Sequence, residues 1–169
     1  ELVIEVEGTP TMEAFRWNRP AGMGATLYGL DLDDRLYGSR DNDTIDGRGG
    51  NDDLRGEAGN DILRGGDGGD TLTGGMGNDT LDGGDGADTI VSSIAVSLED
   101  ARFYNIENIE LTGEEDITAT GNDADNAITG NTGDNTLDGG AGADILAGGD
   151  GADSLAGGDG IDTLIGGNG

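Results

Sequence analysis

The sequence predicts an all-β fold: a parallel solenoid of short coils stacked in register. Three observations predict it: an apolar residue every nine positions, glycines tied to that period, and an Asp or Asn two residues before each apolar position. Leu36, Ile45, Leu54, Leu63, Leu72, Leu81 and Ile90 form one train; Ile128, Leu137, Leu146, Leu155 and Leu164 form another. Their partners are Asp34, Asp43, Asp52, Asp61, Asp70, Asp79 and Asp88, then Asn126, Asn135, Asp144, Asp153 and Asp162. Self-similarity at a fixed short period marks a repeat architecture. Low-complexity disorder does not hold such a register.

Each element follows from the unit. Glycine costs roughly 1 kcal/mol against Ala inside a helix, so Gly-rich units disfavour helices. A three-residue strand such as Thr71-Leu72-Thr73 turns one side chain inward and two outward. The next six residues, Gly74-Gly75-Met76-Gly77-Asn78-Asp79, reverse the chain, with glycine supplying backbone angles that other residues resist. Two units make a coil, and stacked coils make two parallel sheets with the Leu/Ile columns between them. That core is thin, and its burial alone does not offset ordering costs of about 1–2 kcal/mol per residue.

Charge narrows the function. The chain carries 36 Asp and Glu against eight Arg, a net −28, with no Lys, His or Cys. No disulfide framework and no thiolate or imidazole metal site is available. Nucleic acid and anionic membrane surfaces would repel it, and no apolar run approaches a membrane span; neither nucleic-acid binding nor membrane insertion is expected. With hydrophobic residues at 33%, the chain is either disordered or folded around bound cations. The period favours the second.

The turn supplies the cation chemistry. Residues 65–73, 83–91, 139–147, 148–156 and 157–165 match the Gly-Gly-x-Gly-x-Asp-x-apolar-x pattern as closely as residues 74–82 do. Calcium takes six to eight hard oxygen ligands at about 2.3–2.6 Å. Uncrowded glycine carbonyls and one Asp per turn supply such oxygens, and turns one coil apart lie above one another. The unit resembles the repeats-in-toxin (RTX) calcium-binding nonapeptide.

That resemblance implies a right-handed parallel β-roll or β-helix with calcium in its Gly/Asp-rich turns. It also implies a ligand set: carbonyls of unit positions two and four plus the position-six Asp from one turn, with carbonyls one and three plus Asp six from the turn one coil later. One ion would use Gly66, Gly68 and Asp70 with Gly83, Asp85 and Asp88. Others would use Glu57, Gly59 and Asp61 with Gly74, Met76 and Asp79, and Arg48, Gly50 and Asp52 with Gly65, Asp67 and Asp70. Ser39, Asp41 and Asp43 with Gly56, Ala58 and Asp61 make a poorer set, two glycines being absent. In the second train Gly140, Gly142 and Asp144 pair with Gly157, Asp159 and Asp162; Asn131, Gly133 and Asn135 pair with Gly148, Asp150 and Asp153, at lower charge. Gly149, Gly151 and Asp153 meet only Gly166 and Asn168. Roughly six to nine Ca2+ ions are expected from the ligand count.

Four segments follow. Residues 1–28 are expected to form an N-terminal cap or strand segment, with Leu2, Ile4 and Val6 alternating and Phe15 and Trp17 on one face; an aromatic carbohydrate platform is the sharper alternative. Residues 29–91 form a first β-roll block. Residues 92–120, where the phase breaks, are expected to be metal-poor coils or a connector, with a loop near 101–104; a linker between two rolls is the alternative. Ile94, Val96 and Leu98 alternate there as a strand does, and residues 105–113 read as another. Residues 121–169 form a second block with an open C-terminal edge, and the chain is expected to continue beyond it or meet a partner there.

Other chemistries fit less well. Two carboxylates could suggest glycoside hydrolysis, but among 36 acidic residues proximity carries no information. EF-hand, P-loop and H-E-x-x-H motifs are absent. Outward Thr71, Thr73, Thr80 and Thr89 suggest an ice- or surface-binding row, interrupted by Asp46, Arg55, Arg64 and Asp82. The resemblance implies a non-enzymatic module of a larger secreted bacterial protein, extracellular or at the cell surface, exported by type I secretion and folding on calcium. Its partners would be calcium and the flanking domains of the parent. A calcium-dependent adhesive module with a glycan or surface ligand is the alternative.

Overall fold

The computed structural model describes residues 22–169 and, before them, the backbone of β1 (Val3–Glu5) and β2 (Phe15–Arg16). The expected cap over residues 1–28, with Trp17, lies largely outside the described residues. Among these there is no helix, hence none long and apolar enough to cross a membrane. The chain divides into one unit of Glu1–Thr89 with Arg102–Ile106 and another of Ile90–Ala101 with Glu107–Gly169.

In chain order the strands continue as β3 (Thr26–Tyr28), β4 (Arg35–Tyr37), β5 (Thr44–Gly49), β6 (Asp53–Ala58), β7 (Ile62–Asp67), β8 (Thr71–Met76) and β9 (Thr80–Asp85). Next come β10 (Thr89–Ser92), β11 (Val96–Ser97), β12 (Phe103–Tyr104), β13 (Asn108–Leu111) and β14 (Thr118–Thr120). The last are β15 (Ala127–Thr129), β16 (Thr136–Ala141), β17 (Ile145–Ala147), β18 (Ser154–Asp159) and β19 (Thr163–Ile165).

The first unit is a β-solenoid of two parallel sheets, ordered β1-β3-β5-β7-β9-β12 and β2-β4-β6-β8. Alternate strands pair, so Leu27, Ile45, Leu63 and Leu81 stack in one column and Leu36, Leu54 and Leu72 in the other. All seven are at most 2% exposed. Full burial of such a side chain contributes roughly 1.5–3 kcal/mol, and the alternation places outward Thr, Asp and Arg in water.

The second unit repeats the scheme with β11-β14-β16-β18 and β13-β15-β17-β19. Ala119, Leu137 and Leu155 form one column, and Ile109, Ile128, Leu146 and Leu164 the other. Two steps, Val96 to Ala119 and Ile109 to Ile128, are longer than eighteen residues and absorb the break in phase.

Three local expectations change. Seven strands, β5 to β9 with β16 and β18, span six residues rather than three, because the ladder runs on into the turn: Glu57 pairs with Gly75 and Ala58 with Met76, whereas β17 and β19 keep three. The loop expected near 101–104 contains β12, whose Phe103 pairs with Leu81. It returns to the first unit while β11 belongs to the second. Ile94 is 63% exposed whereas Val96 and Leu98 are buried, so the alternation there covers fewer residues than its pattern suggests.

Candidate metal centre

The position-six residues are not at the rim of the turns but inside them. Asp52, Asp61, Asp70, Asp88 and Asp144 are at most 2% exposed. Their two oxygens have different surroundings. Oδ1 faces the preceding coil and accepts the backbone N–H of the residue eighteen positions earlier: Asp70 takes Asp52 N–H at 2.7 Å and Asp88 takes Asp70 N–H at 2.7 Å. Asp79, Asp144 and Asp162 do the same for Asp61, Asn126 and Asp144. Oδ2 of Asp52, Asp61, Asp70, Asp144 and Asp153 is buried without a hydrogen-bond partner. An ionised oxygen in that position is costly unless a charge or donor meets it.

Position one explains why glycine is needed. A side chain on Gly65 would run into Asp70 Oδ2 and the Gly83 carbonyl oxygen. The space is taken by a carboxylate of the same turn and a carbonyl of the next. The same holds at Gly56 with Asp61 and Gly74, at Gly139 with Asp144 and Gly157, and at Gly148 with Asp153 and Gly166. The cradle is therefore lined with oxygen.

The backbone carbonyls alternate in direction. Those of position two (Arg48, Glu57, Gly66, Asn131, Gly140, Gly149) lie beneath the α-carbon of the corresponding residue one coil later. Position four behaves alike: Asp41, Gly50, Gly59, Gly68, Gly133, Gly142 and Gly151 aim at the later coil. Position-one carbonyls (Gly56, Gly65, Gly74, Gly83, Gly148, Gly157, Gly166) aim at the earlier coil. Position-three carbonyls of Asp67, Met76, Asp85, Asp159 and Asn168 accept a position-four N–H from the earlier coil at 2.8–2.9 Å. Carbonyls two and four of one turn thus face the next coil, and carbonyls one and three of that coil face back toward the first, the directions that the ligand set implied by the resemblance requires.

The turns differ in how far the protein itself satisfies them. Asp43 Oδ2 accepts the Ser39 N–H and the Ser39 Oγ–H, the latter at 3.0 Å, and Asp43 Oδ1 accepts the Ala25 N–H. The Asp41 carboxylate accepts the N–H groups of Gly22 and Met23. Asn135 Oδ1 accepts the Asn131 N–H at 2.8 Å, and Asn135 Nδ2 donates to Asn131 Oδ1 at 2.9 Å. In these two turns the position-six oxygen that faces position two is bonded within the protein, whereas Oδ2 of Asp52, Asp61, Asp70, Asp144 and Asp153 is not.

Burial also shifts acidity. Desolvation, reinforced by Asp70 and Asp34, pushes the Asp52 carboxyl from its ordinary 3.8 up to about 7 despite the Asp34 N–H that favours the anion. Burial does the same to Asp61, up to about 7, with Asp79 and Asp43 adding repulsion. Asp70 is raised by burial as well. Without a cation, burial favours the protonated form of these groups.

Among the described residues no three acidic side chains cluster closely enough to hold a metal by themselves. The donor set is two carboxylates plus backbone carbonyls, the oxygen-only chemistry calcium favours. The residues present fit that ion.

One set escaped the sequence reading. Position-five side chains bond to the next coil: Asn42 Oδ1 accepts Asn60 N–H and Asn51 Oδ1 accepts Gly69 N–H, at 2.8 and 2.7 Å. The recurrence of Asn or Asp at that position was the available signal.

No curated protein matches the chain. A family profile described as RTX calcium-binding nonapeptide repeat matches four times, over residues 28–63, 56–90, 120–155 and 148–169. These matches cover more than half of the chain and include the turns whose carbonyls face the neighbouring coils. The chain belongs to the RTX calcium-binding nonapeptide repeat family.

Proposed function

We propose that this chain is a calcium-operated folding module of a secreted bacterial protein: extended before export by type I secretion, folded outside the cell, and stabilising the parent that carries it. It has no catalytic role of its own. The observation that carries this reading is the set of buried Oδ2 atoms without a hydrogen-bond partner on Asp52, Asp61, Asp70, Asp144 and Asp153. Such oxygens make the folded chain costly when the site lacks a cation.

The residues proposed to hold the ions are those facing the gaps between successive coils. Asp70 with Asp88, Asp52 with Asp70, Asp61 with Asp79 and Asp144 with Asp162 provide paired carboxylates, each with the four carbonyls named above. The gaps at Asp43 and Asn135 are proposed as weaker, since their side chains are bonded within the protein. When bound, calcium supplies positive charge and a preference for many hard oxygens. The chain's part is to hold those oxygens in place and to keep the Leu/Ile columns registered above and below them. Before binding, −28 of charge and a thin core favour the extended chain.

Far-UV circular dichroism tests this. In chelator the chain should show little order, and calcium should induce a cooperative β signal. Magnesium should substitute poorly, because it prefers a tight octahedral shell and keeps its waters. A β-rich spectrum unchanged by chelator would overturn the folding switch.

A further inference from the structure

We infer that the position-five Asn and Asp residues are positioning residues for the ligand carbonyls: each orients the position-four carbonyl of the next coil. The inference rests on the calcium reading above and extends it to side chains outside the ligand set. In a trans peptide the N–H and C=O point in opposite directions across one rigid plane. Pinning one therefore aims the other.

Asn51 Oδ1 accepts the Gly69 N–H at 2.7 Å, drawing that N–H toward the earlier coil. The carbonyl across the same peptide, Gly68, is thereby turned toward the later coil, where it lies beneath the Gly86 α-carbon. The same construction recurs. Asn42 holds Asn60 N–H and the Gly59 carbonyl lies beneath Gly77; Asp33 holds Asn51 N–H and the Gly50 carbonyl lies beneath Gly68. In the second unit Asp116 holds Asp134 N–H with Gly133 beneath Gly151, and Asp125 holds Ala143 N–H with Gly142 beneath Gly160.

Freedom at position four makes the clamp useful. Gly68 has φ +133 and Gly59 φ +128, a region where glycine alone moves easily. Without an anchor, the adjoining peptide can rotate and carry its oxygen out of the gap. The position-five and position-six side chains act in opposite directions. Position five reaches forward to the N–H of the later coil, and position six reaches back to that of the earlier coil.

The test uses the whole 169-residue chain labelled with 13C at glycine carbonyls, with calcium titrated by calorimetry and by carbonyl chemical shift. Asn51→Ala should weaken calcium binding roughly three- to tenfold, the scale of one net hydrogen bond, and reduce the calcium-induced shift at Gly68. Asn51→Asp retains the acceptor oxygen and should restore both. If Asn51→Ala does not fold in calcium, Asn42→Ala reads the same effect at Gly59. Wild-type affinity and a full Gly68 shift in Asn51→Ala would overturn the inference. So would a lower thermal midpoint in saturating calcium with affinity unchanged, which is the mark of a stacking contact alone. Asp70→Ala runs in parallel: if it too leaves the titration unaltered, the calcium reading fails, whereas an effect of Asp70→Ala alone removes only the positioning role.

Discussion

At Asp70 the two carboxylate oxygens face different neighbours. Oδ1 takes the Asp52 N–H at 2.7 Å, and Oδ2 sits buried and unpartnered beside the Gly83 carbonyl. One side chain therefore faces the coil before it and the coil after it, and is proposed to serve the gaps on both sides. Asp70→Ala should weaken two successive calcium sites, by about tenfold or more as expected for a charged hydrogen-bonding group, and should lower the Hill slope. Asp138, an outward and exposed residue of β16, is the matched control and should leave the calcium titration unchanged on replacement by Ala. Asp82 is a less clean control, because its Oδ1 accepts the Asn105 Nδ2–H at 2.8 Å. Equal effects of Asp70→Ala and Asp138→Ala would refute the register.

At the scale of the strand, the unit extends further into the turn than its apolar pattern shows. The ladder passes through Arg48 and Glu57, which sit at φ 77 and φ 76 where the better-formed turns carry glycine. An L-residue in that region costs roughly 1–2 kcal/mol, and pairing with Gly66 and Gly75 holds it there. The apolar column gives the strand its inward anchor. Leu63 is fully buried, while Leu164 is 49% exposed. Leu63→Ala should lower the calcium-loaded stability by about 2–5 kcal/mol, and Leu164→Ala by much less, as read by denaturant unfolding in excess calcium. Comparable losses would show that the columns do not carry the stack.

For the molecule as a whole, charge sets the terms. All eight Arg lie in the first unit; Ile90–Ala101 and Glu107–Gly169 contain none. Arg48 and Arg55 lie over the rings of Tyr28 and Tyr37, at 5.2 and 5.4 Å, so outward faces of the first unit gain cation–π contacts. The second unit instead substitutes Asn for the position-six Asp at Asn126 and Asn135, whose Nδ2 groups donate to the Glu107 carbonyl and to Asn131 Oδ1. Protons offer a second route to neutrality. The folded-state carboxyls of Asp52 and Asp61 are raised from 3.8 to about 7, so the metal-free fold binds more protons than the unfolded chain between those values. The contribution of these two groups to its stability is therefore fully present below pH about 3.8 and is lost as pH rises through about 7. Circular dichroism of the calcium-free chain should show more β signal at pH 4.5 than at pH 8. Calcium affinity should run the other way and rise over the same interval, because protons and the cation compete for the same oxygens. A metal-free spectrum that gains β signal with increasing pH would contradict this.

The nonapeptide register by itself determined the parallel solenoid, the Leu/Ile columns and the Asp that faces each gap, since a period of nine with fixed Gly, Asp and apolar places leaves few ways to bury the apolar residue. Only the tertiary structure decided how the turns close. The sequence marks the Asp43 set as poorer only by its missing glycines; that Ser39 caps Asp43 Oδ2 while Asp70 Oδ2 has no hydrogen-bond partner is a property of the folded turn. The sequence also placed a loop where Phe103 pairs with Leu81, because a two-residue strand carries too little pattern to be read. The forward reach of Asn42 and Asn51 was hidden for a related reason. A position-five side chain meets its partner only when a residue eighteen places later is stacked above it, and that adjacency is a property of the coil, not of the unit.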